Sequence, residues 1–132
     1  FVGQVNNPFP YYRAAEIFAL PSRFEGTPNV LLEAMSMSLP CIVSDASGGP
    51  LEYVEDGETG LVVATDNVDQ LAVALLKLMQ APDLRARLGR AGCGQLQNQT
   101  MEMVLGVWSR ILDLPAIPQS RSGAHEAVIS NG

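Results

Sequence analysis

The chain has 132 residues, a formal net charge of -6 and a pI of about 4.6, with 47% hydrophobic and 17% charged residues. That is enough for one globular domain, too short for two ordinary ones, and too apolar for a wholly disordered chain. A single lysine, Lys77, and scattered arginines make no basic stripe for nucleic acid or for an anionic membrane surface. The longest apolar run, residues 71–76, is far below the roughly 20 residues of a membrane span.

Phe1-Val2-Gly3 reads like the end of a buried strand, so the sequence is expected to be cut from a longer chain. Asn6-Asn7-Pro8 and Pro10 are breakers, followed by a short amphipathic stretch over 11–15. Residues 17–20 form a compact apolar run that ends in Pro21-Ser22 and predicts a buried strand. A polar loop containing Gly26 leads to Pro28, where Val30, Leu31, Ala34 and Met35 recur at helix spacing. Pro28 suits the first helical position with Thr27 as N-cap, and Pro40 stops the helix.

Residues 41–44 predict a second buried strand, with Cys41 as a small buried hydrophobe. A Gly-rich turn over 45–50 and a short helix over 51–54 follow. Asp56-Gly57 and Thr59-Gly60 punctuate before a third strand over 61–63. Residues 66–69 supply caps for a strong helix over 71–80, with Leu71, Leu75 and Leu78 on one face. Two further helices are predicted near 83–96 and 101–112, with Gly92 and Gly94 weakening the first. Residues 115–132, rich in Pro, Ser and Gly and carrying His125, predict a disordered tail. Cys41 and Cys93 show neither metal-ligand spacing nor a disulfide framework.

Short, non-alternating apolar strands between helices are the pattern of a parallel sheet covered on both faces, so the fold class is α/β and Rossmann-like. Ligands of such sheets sit beyond the carboxyl ends of the strands. The loops to inspect therefore follow Leu20, Ser44 and Val63.

The first of these loops carries chemistry. It holds Glu25, Gly26, Thr27, Pro28 and Asn29, with Glu33 on the helix that follows. Free N–H groups at the helix start, around Asn29 to Leu31, favour an anion such as phosphate. Gly26 lets the backbone approach a ligand closely. Ionised carboxylates accept hydrogen bonds and so suit hydroxyl groups. Phosphate and polyol together indicate a sugar phosphate or a nucleotide sugar. Glu25 as a plain loop acid and Glu33 as a solvated helix residue are the competing readings of these two residues alone.

The run from Pro21 to Met35, Pro-Ser-Arg-Phe-Glu-Gly-Thr-Pro-Asn-Val-Leu-Leu-Glu-Ala-Met, resembles the E-x7-E segment of retaining glycosyltransferases of family 4, which have the GT-B fold. The resemblance continues through Leu39-Pro40-Cys41-Ile42-Val43-Ser44-Asp45, Gly48-Gly49-Pro50-Leu51-Glu52 and Gly57-Glu58-Thr59-Gly60-Leu61-Val62-Val63, and covers Asn7-Pro8 and Tyr12-Arg13-Ala14-Ala15-Glu16-Ile17. It implies that residues 1–114 are part of the C-terminal, nucleotide-sugar-binding half of a GT-B enzyme that transfers a sugar with retention of configuration. It also implies that Glu25 contacts the donor sugar and acts in catalysis, and that Glu33 contacts the ribose. Gly26, Thr27, Asn29 and Val30 would then line the donor site, with backbone amides of Gly26, Asn29 and Val30 near the sugar and diphosphate. No metal and no separate cofactor are implied. The donor is expected to be UDP-linked, although the sequence itself does not choose among UDP, GDP and ADP. The acceptor is an unspecified glycan, lipid or small molecule.

Two positions depart from the family pattern: Ser38 stands where glycine is usual, and Thr27 replaces a bulkier residue beside the donor. The basic residues that neutralise the diphosphate, and the acceptor-binding N-terminal domain, are expected before Phe1, so the chain by itself is expected to be inactive. Arg23 adjoins the loop and is read as an ion-pair partner ahead of a phosphate ligand. Trp108 is read as a packing residue, with docking against the N-terminal domain as the alternative. The expected location is cytoplasmic, including the inner face of the membrane as a peripheral site. A nucleotide-sugar epimerase of the same fold and a non-catalytic binding module are the other functions compatible with the sequence.

Overall fold

The three apolar runs become three parallel strands, β1 (Phe18–Leu20), β2 (Cys41–Ser44) and β3 (Leu61–Val63), in the spatial order β1-β2-β3. The structure is a computed structural model that describes residues 5–23, 29–46 and 49–111, with side chains described through residue 101 except that of Thr100. Phe18 lies opposite Cys41 and Leu20 opposite Val43, while Ile42 faces Leu61 and Ser44 faces Val63. Around the sheet run the helices α1 (Phe9–Ala14), α2 (Asn29–Ser36), α3 (Pro50–Tyr53), α4 (Val68–Gln80) and α5 (Pro82–Ile111). Residues Phe1–Thr100 form one compact unit, and Met101–Gly132 a second in which only the helical run to Ile111 is described.

Successive side chains of a strand point to opposite faces, and β2 shows why both faces are covered. Cys41 and Val43 enter one core with Tyr12, Leu31, Ala34 and Met35. Ile42, one residue away, enters the other with Leu61, Val63, Ala74, Leu78 and Leu88. All four β2 residues are buried, which explains their continuous apolar character. This is the expected Rossmann-like sheet with helices on both faces. Burial pushes the Cys41 thiol up to about 12 and so keeps it protonated, as expected of a small core hydrophobe.

Helix α2 ends in a left-handed cap. The Leu39 N–H donates to the Ala34 carbonyl and the Ser38 N–H to the Met35 carbonyl, the paired bonds of a Schellman motif. Ser38 takes the φ of +57° that this motif needs. A side chain is strained in that region, so Ser38→Gly should stabilise the protein by about 0.5–1 kcal/mol. Urea unfolding checks this, and an unchanged midpoint would refute the strain argument.

Helix α4 starts at Val68, three residues before the expected Leu71, within the predicted capping stretch 66–69. Asn67 caps it, its side chain accepting from the Gln70 N–H. Its far end is closed from α5, where Arg85 donates to the carbonyls of Leu78 and Met79 at 2.7 and 3.0 Å. The outer edge of β3 is closed by side chains too. Asp56 Oδ1 accepts from the Val62 N–H at 2.8 Å, and Gln70 Oε1 from the Ala64 N–H at 2.7 Å. Two donors that would otherwise invite another strand are thereby occupied.

The C-terminal helices correct the sequence expectation. The predicted helices near 83–96 and 101–112 form one helix, α5, that runs unbroken through Gly92 and Gly94 to Ile111. Two of its glycines serve packing. A Cβ on Gly89 would lie 2.0 Å from the Ser38 carbonyl oxygen, and one on Gly92 would lie 3.0 Å from that of Thr59. Gln99 donates to the Glu52 carbonyl at 3.3 Å, which anchors the stretch where a break was expected. The expected tail 115–132, His125, the side chain of Trp108 and the strand end at residues 1–3 lie outside the described residues.

Candidate functional site

The loops that follow the three strands are tied to one another. Ser44, at the end of β2, donates its hydroxyl to the Ser22 carbonyl after β1. Thr65, after β3, donates both its N–H and its hydroxyl to Asp45 Oδ1, at 2.6 and 2.8 Å. Arg23 Nε donates to Asp66 Oδ1 at 2.7 Å, which joins the loops after β1 and β3. The carboxyl ends of the sheet therefore carry a linked rim, at the place where parallel sheets bind ligands. The Thr65 hydroxyl and N–H hold the Asp45 carboxyl below the usual carboxylate range, so Asp45 is a charged acceptor at neutral pH. The Asp66 carboxylate, by hydrogen bond and by charge, raises Arg23 further above its already high value. Both members of that pair are largely in water, so the bridge orders the loops more than it stabilises them. Arg23 is thus an ion-pair residue, as expected.

Helix α2 leaves the loop after β1. Asn29 and Val30 open it and are exposed. The N–H groups of a first helical turn have no intrahelical acceptor, so this end can receive an anion. Glu33 follows one turn on, half-buried, and its Oε2 accepts from the Tyr12 hydroxyl at 2.9 Å. Of the residues singled out in the sequence, Asn29, Val30 and Glu33 thus share one short helix. Glu25, Gly26 and Thr27 lie outside the described residues.

Tyr12 is the residue sequence reasoning missed. Its ring is 9% exposed and packs edge-on against Phe9 and Phe18, with ring centres 6.0 Å apart in both pairs. The available signal was the amphipathic stretch after Pro8, whose buried side this residue occupies. Burial first, then the Glu33 hydrogen bond and charge, push its phenol up to about 12 from an ordinary 10.0. The folded protein therefore holds this proton more tightly than the unfolded chain. The resulting stabilisation is complete below about pH 10 and is lost as the pH rises toward 12. Phenolate absorbance should show a late-titrating tyrosine that disappears in Tyr12→Phe and titrates earlier in Glu33→Gln. A titration without a late component would contradict the pairing.

A separate cleft of about 380 Å³ lies between the outer edge of β3 and α4, lined by Asp56, Val62, Asp69, Gln70, Val73 and Lys77 among others. None of Arg23, Asn29, Val30 and Glu33 lines it. Lys77, the one lysine, faces this cleft. Among the described residues no group of three or more His, Cys, Asp or Glu side chains is placed to hold a metal ion, and no helix is long and apolar enough to cross a membrane.

A family model for glycosyl transferases group 1 matches residues 1–81. An amylovoran biosynthesis glycosyltransferase of Erwinia amylovora is 33% identical over 103 residues, which is 78% of this chain and 29% of that protein. Among solved structures, sucrose-phosphate synthase of Thermosynechococcus elongatus superposes with a TM-score of 0.72 at 31% identity, covering 86% of this chain and 30% of the other. The C-terminal domain of a glycosyl transferase group 1 family protein of Francisella tularensis superposes with a TM-score of 0.67 at 28% identity, covering 76% of this chain and 51% of the other. The chain spans about a third of the length of the curated relatives it matches.

Proposed function

The chain belongs to the glycosyl transferases group 1 family, and from that premise we propose that it carries the donor site of an enzyme that transfers a sugar from a nucleotide diphosphate to an acceptor with retention of configuration, as in family 4. The observation that carries the reading is the pairing of an anion-accepting helix start, at Asn29 and Val30, with a half-buried carboxylate one turn later, at Glu33. The first suits a diphosphate and the second a pair of sugar hydroxyls.

In this reading Glu33 accepts hydrogen bonds from the ribose. The amides near Gly26, Asn29 and Val30 approach the sugar and diphosphate, and Thr27 borders the donor sugar. Glu25 orients that sugar and stabilises the positive charge that develops as the glycosidic bond breaks, without forming a bond to it. Charge preorganised where a transition state develops it is the strongest lever available to such a site. The reaction needs no separate cofactor and no metal, and UDP is the expected carrier. Residues 1–114 supply the donor side, and the acceptor side and the diphosphate's cations come from the remainder of the protein. The work of the whole protein is the assembly of a glycan, at the cytoplasmic side of the membrane.

Calorimetry of the full-length protein with UDP-, GDP- and ADP-sugars tests this reading. Binding of one of them, weakened by Glu33→Gln, supports it. Failure to bind any would favour a non-catalytic module, and an altered nucleotide sugar formed without acceptor would favour an epimerase.

A further inference from the structure

The contact between Tyr12 and Glu33 links the buried core to the donor site. Glu33 projects from α2, where a free glutamate side chain would sample several rotamers. Its Oε2 is instead held at 2.9 Å by the Tyr12 hydroxyl. Tyr12 itself has little freedom. It is buried in the core shared with Leu31, Ala34 and Met35, the α2 residues on either side of Glu33. Phe9 and Phe18 meet its ring edge-on from two directions, at interplanar angles of 82° and 72°. The backbone under it is fixed as well, because the Tyr11 and Tyr12 N–H groups both donate to the Pro8 carbonyl.

We propose that Tyr12 is a positioning residue for nucleotide recognition: its hydroxyl locks the Glu33 carboxylate in one orientation, so that Oε1 and the remaining lone pair of Oε2 are aimed at the two ribose hydroxyls. The proposal rests on the ribose-binding role of Glu33 given above. A carboxylate has about four acceptor sites, so one bond from Tyr12 leaves capacity for a ribose diol. The phenol is a neutral donor throughout the physiological range, because burial and Glu33 both oppose its ionisation. The ordering cost of the side chain is met during folding and not during binding, which is how preorganisation raises affinity. Arg23 does not compete for Glu33, since Asp66 holds it.

The test uses the full-length protein and whichever of UDP, GDP and ADP binds it most tightly by calorimetry, with the 2′,3′-dideoxy form of the same nucleotide as control. Tyr12→Phe keeps the ring and its packing and removes only the hydroxyl. It should weaken the ribonucleotide about five- to tenfold, because Glu33 must then be ordered during binding instead of during folding. It should leave the dideoxy nucleotide within twofold, a readout that a purely structural role would not spare. In the Glu33→Gln background, where binding is already weaker, Tyr12→Phe should add little. Equal weakening of both nucleotides by Tyr12→Phe, or no weakening of either, overturns the positioning role while Glu33 keeps its own. If Glu33→Gln itself leaves ribonucleotide binding unchanged, the ribose-binding role fails and the positioning role fails with it.

Discussion

Gly89→Ala should destabilise the protein by about 3 kcal/mol, at the upper end of what overpacking by one methyl group costs. The added Cβ would lie 2.0 Å from the Ser38 carbonyl oxygen, 2.9 Å from the Ser38 carbonyl carbon and 3.4 Å from that of Leu39. All three are backbone atoms, so no side chain can turn aside. Either α5 or the α2–β2 turn must move, and each is fixed by buried neighbours such as Leu88 and Leu39. Alanine gains about 1 kcal/mol over glycine in a helix interior, which reduces the loss without reversing it. Two further substitutions make the argument quantitative. Gly92→Ala meets the Thr59 carbonyl oxygen at 3.0 Å and should cost less. Gly94→Ala meets nothing within 4 Å and should be neutral or stabilising. Urea unfolding of the three variants gives the order, and a Gly89→Ala protein as stable as the unsubstituted one would contradict the packing described.

The second large effect concerns transfer. Glu33→Ala should lower kcat/KM for the nucleotide-sugar donor about 10- to 100-fold, the value of charge-assisted hydrogen bonds of about 1.5–3 kcal/mol. The loss should fall mainly on KM, because the ribose keeps the same contacts before and during bond breaking. Glu25→Ala should act on kcat instead, by about 100-fold or more, if its carboxylate meets charge that appears only in the transition state. Both proteins should remain folded. Glu33 is only half-buried. Its removal leaves the Tyr12 hydroxyl without its acceptor, and Glu33→Gln, which restores one, separates that cost from the loss of ligand contacts. Steady-state kinetics with donor varied at fixed acceptor resolve the two patterns, and unchanged kcat/KM in both variants would remove this site from the reaction.

β2 was legible because burial on both faces leaves a compositional trace: Cys41-Ile42-Val43 carries no polar break, and each of these residues is fully buried. β1 was expected to be buried too, but at the end of the strand order it leaves Ala19 exposed and Phe18 and Leu20 half-buried. The capping stretch of α4 was legible because Asn67 caps locally, within three residues of its partner Gln70, although the helix begins three residues earlier than expected. What failed was long-range. Gly92 looked like a weak point in a helix, since glycine costs helix stability wherever it occurs. The sequence does not record that α5 crosses the Ser38 and Thr59 carbonyls, and a glycine that admits a neighbouring backbone has the same letter as one that ends a helix. The site shows the same division. Glu33 stood out by its place after a strand and a loop, whereas its partner Tyr12 lies 21 residues away on another helix. Asp45 and Thr65, 20 residues apart, tie two loops that each looked independent. Ser38 was legible as a departure, and the structure supplies its meaning in a left-handed φ of +57°.

Among the described residues, a nucleotide has the linked rim at the carboxyl ends of the strands, where α2 presents Asn29, Val30 and Glu33, to set against the cleft between β3 and α4, where Lys77 supplies a cation. Chemistry favours the rim, since a helix start with a carboxylate beside it matches a diphosphate joined to a diol. A crystal structure of the full-length protein with bound UDP, or with whichever nucleoside diphosphate binds best, decides between them. The ribose hydroxyls are predicted within hydrogen-bonding distance of the Glu33 carboxylate, with the diphosphate at the start of α2. A nucleotide bound in the cleft beside Lys77, with Glu33 facing solvent, would contradict the assignment of the donor site.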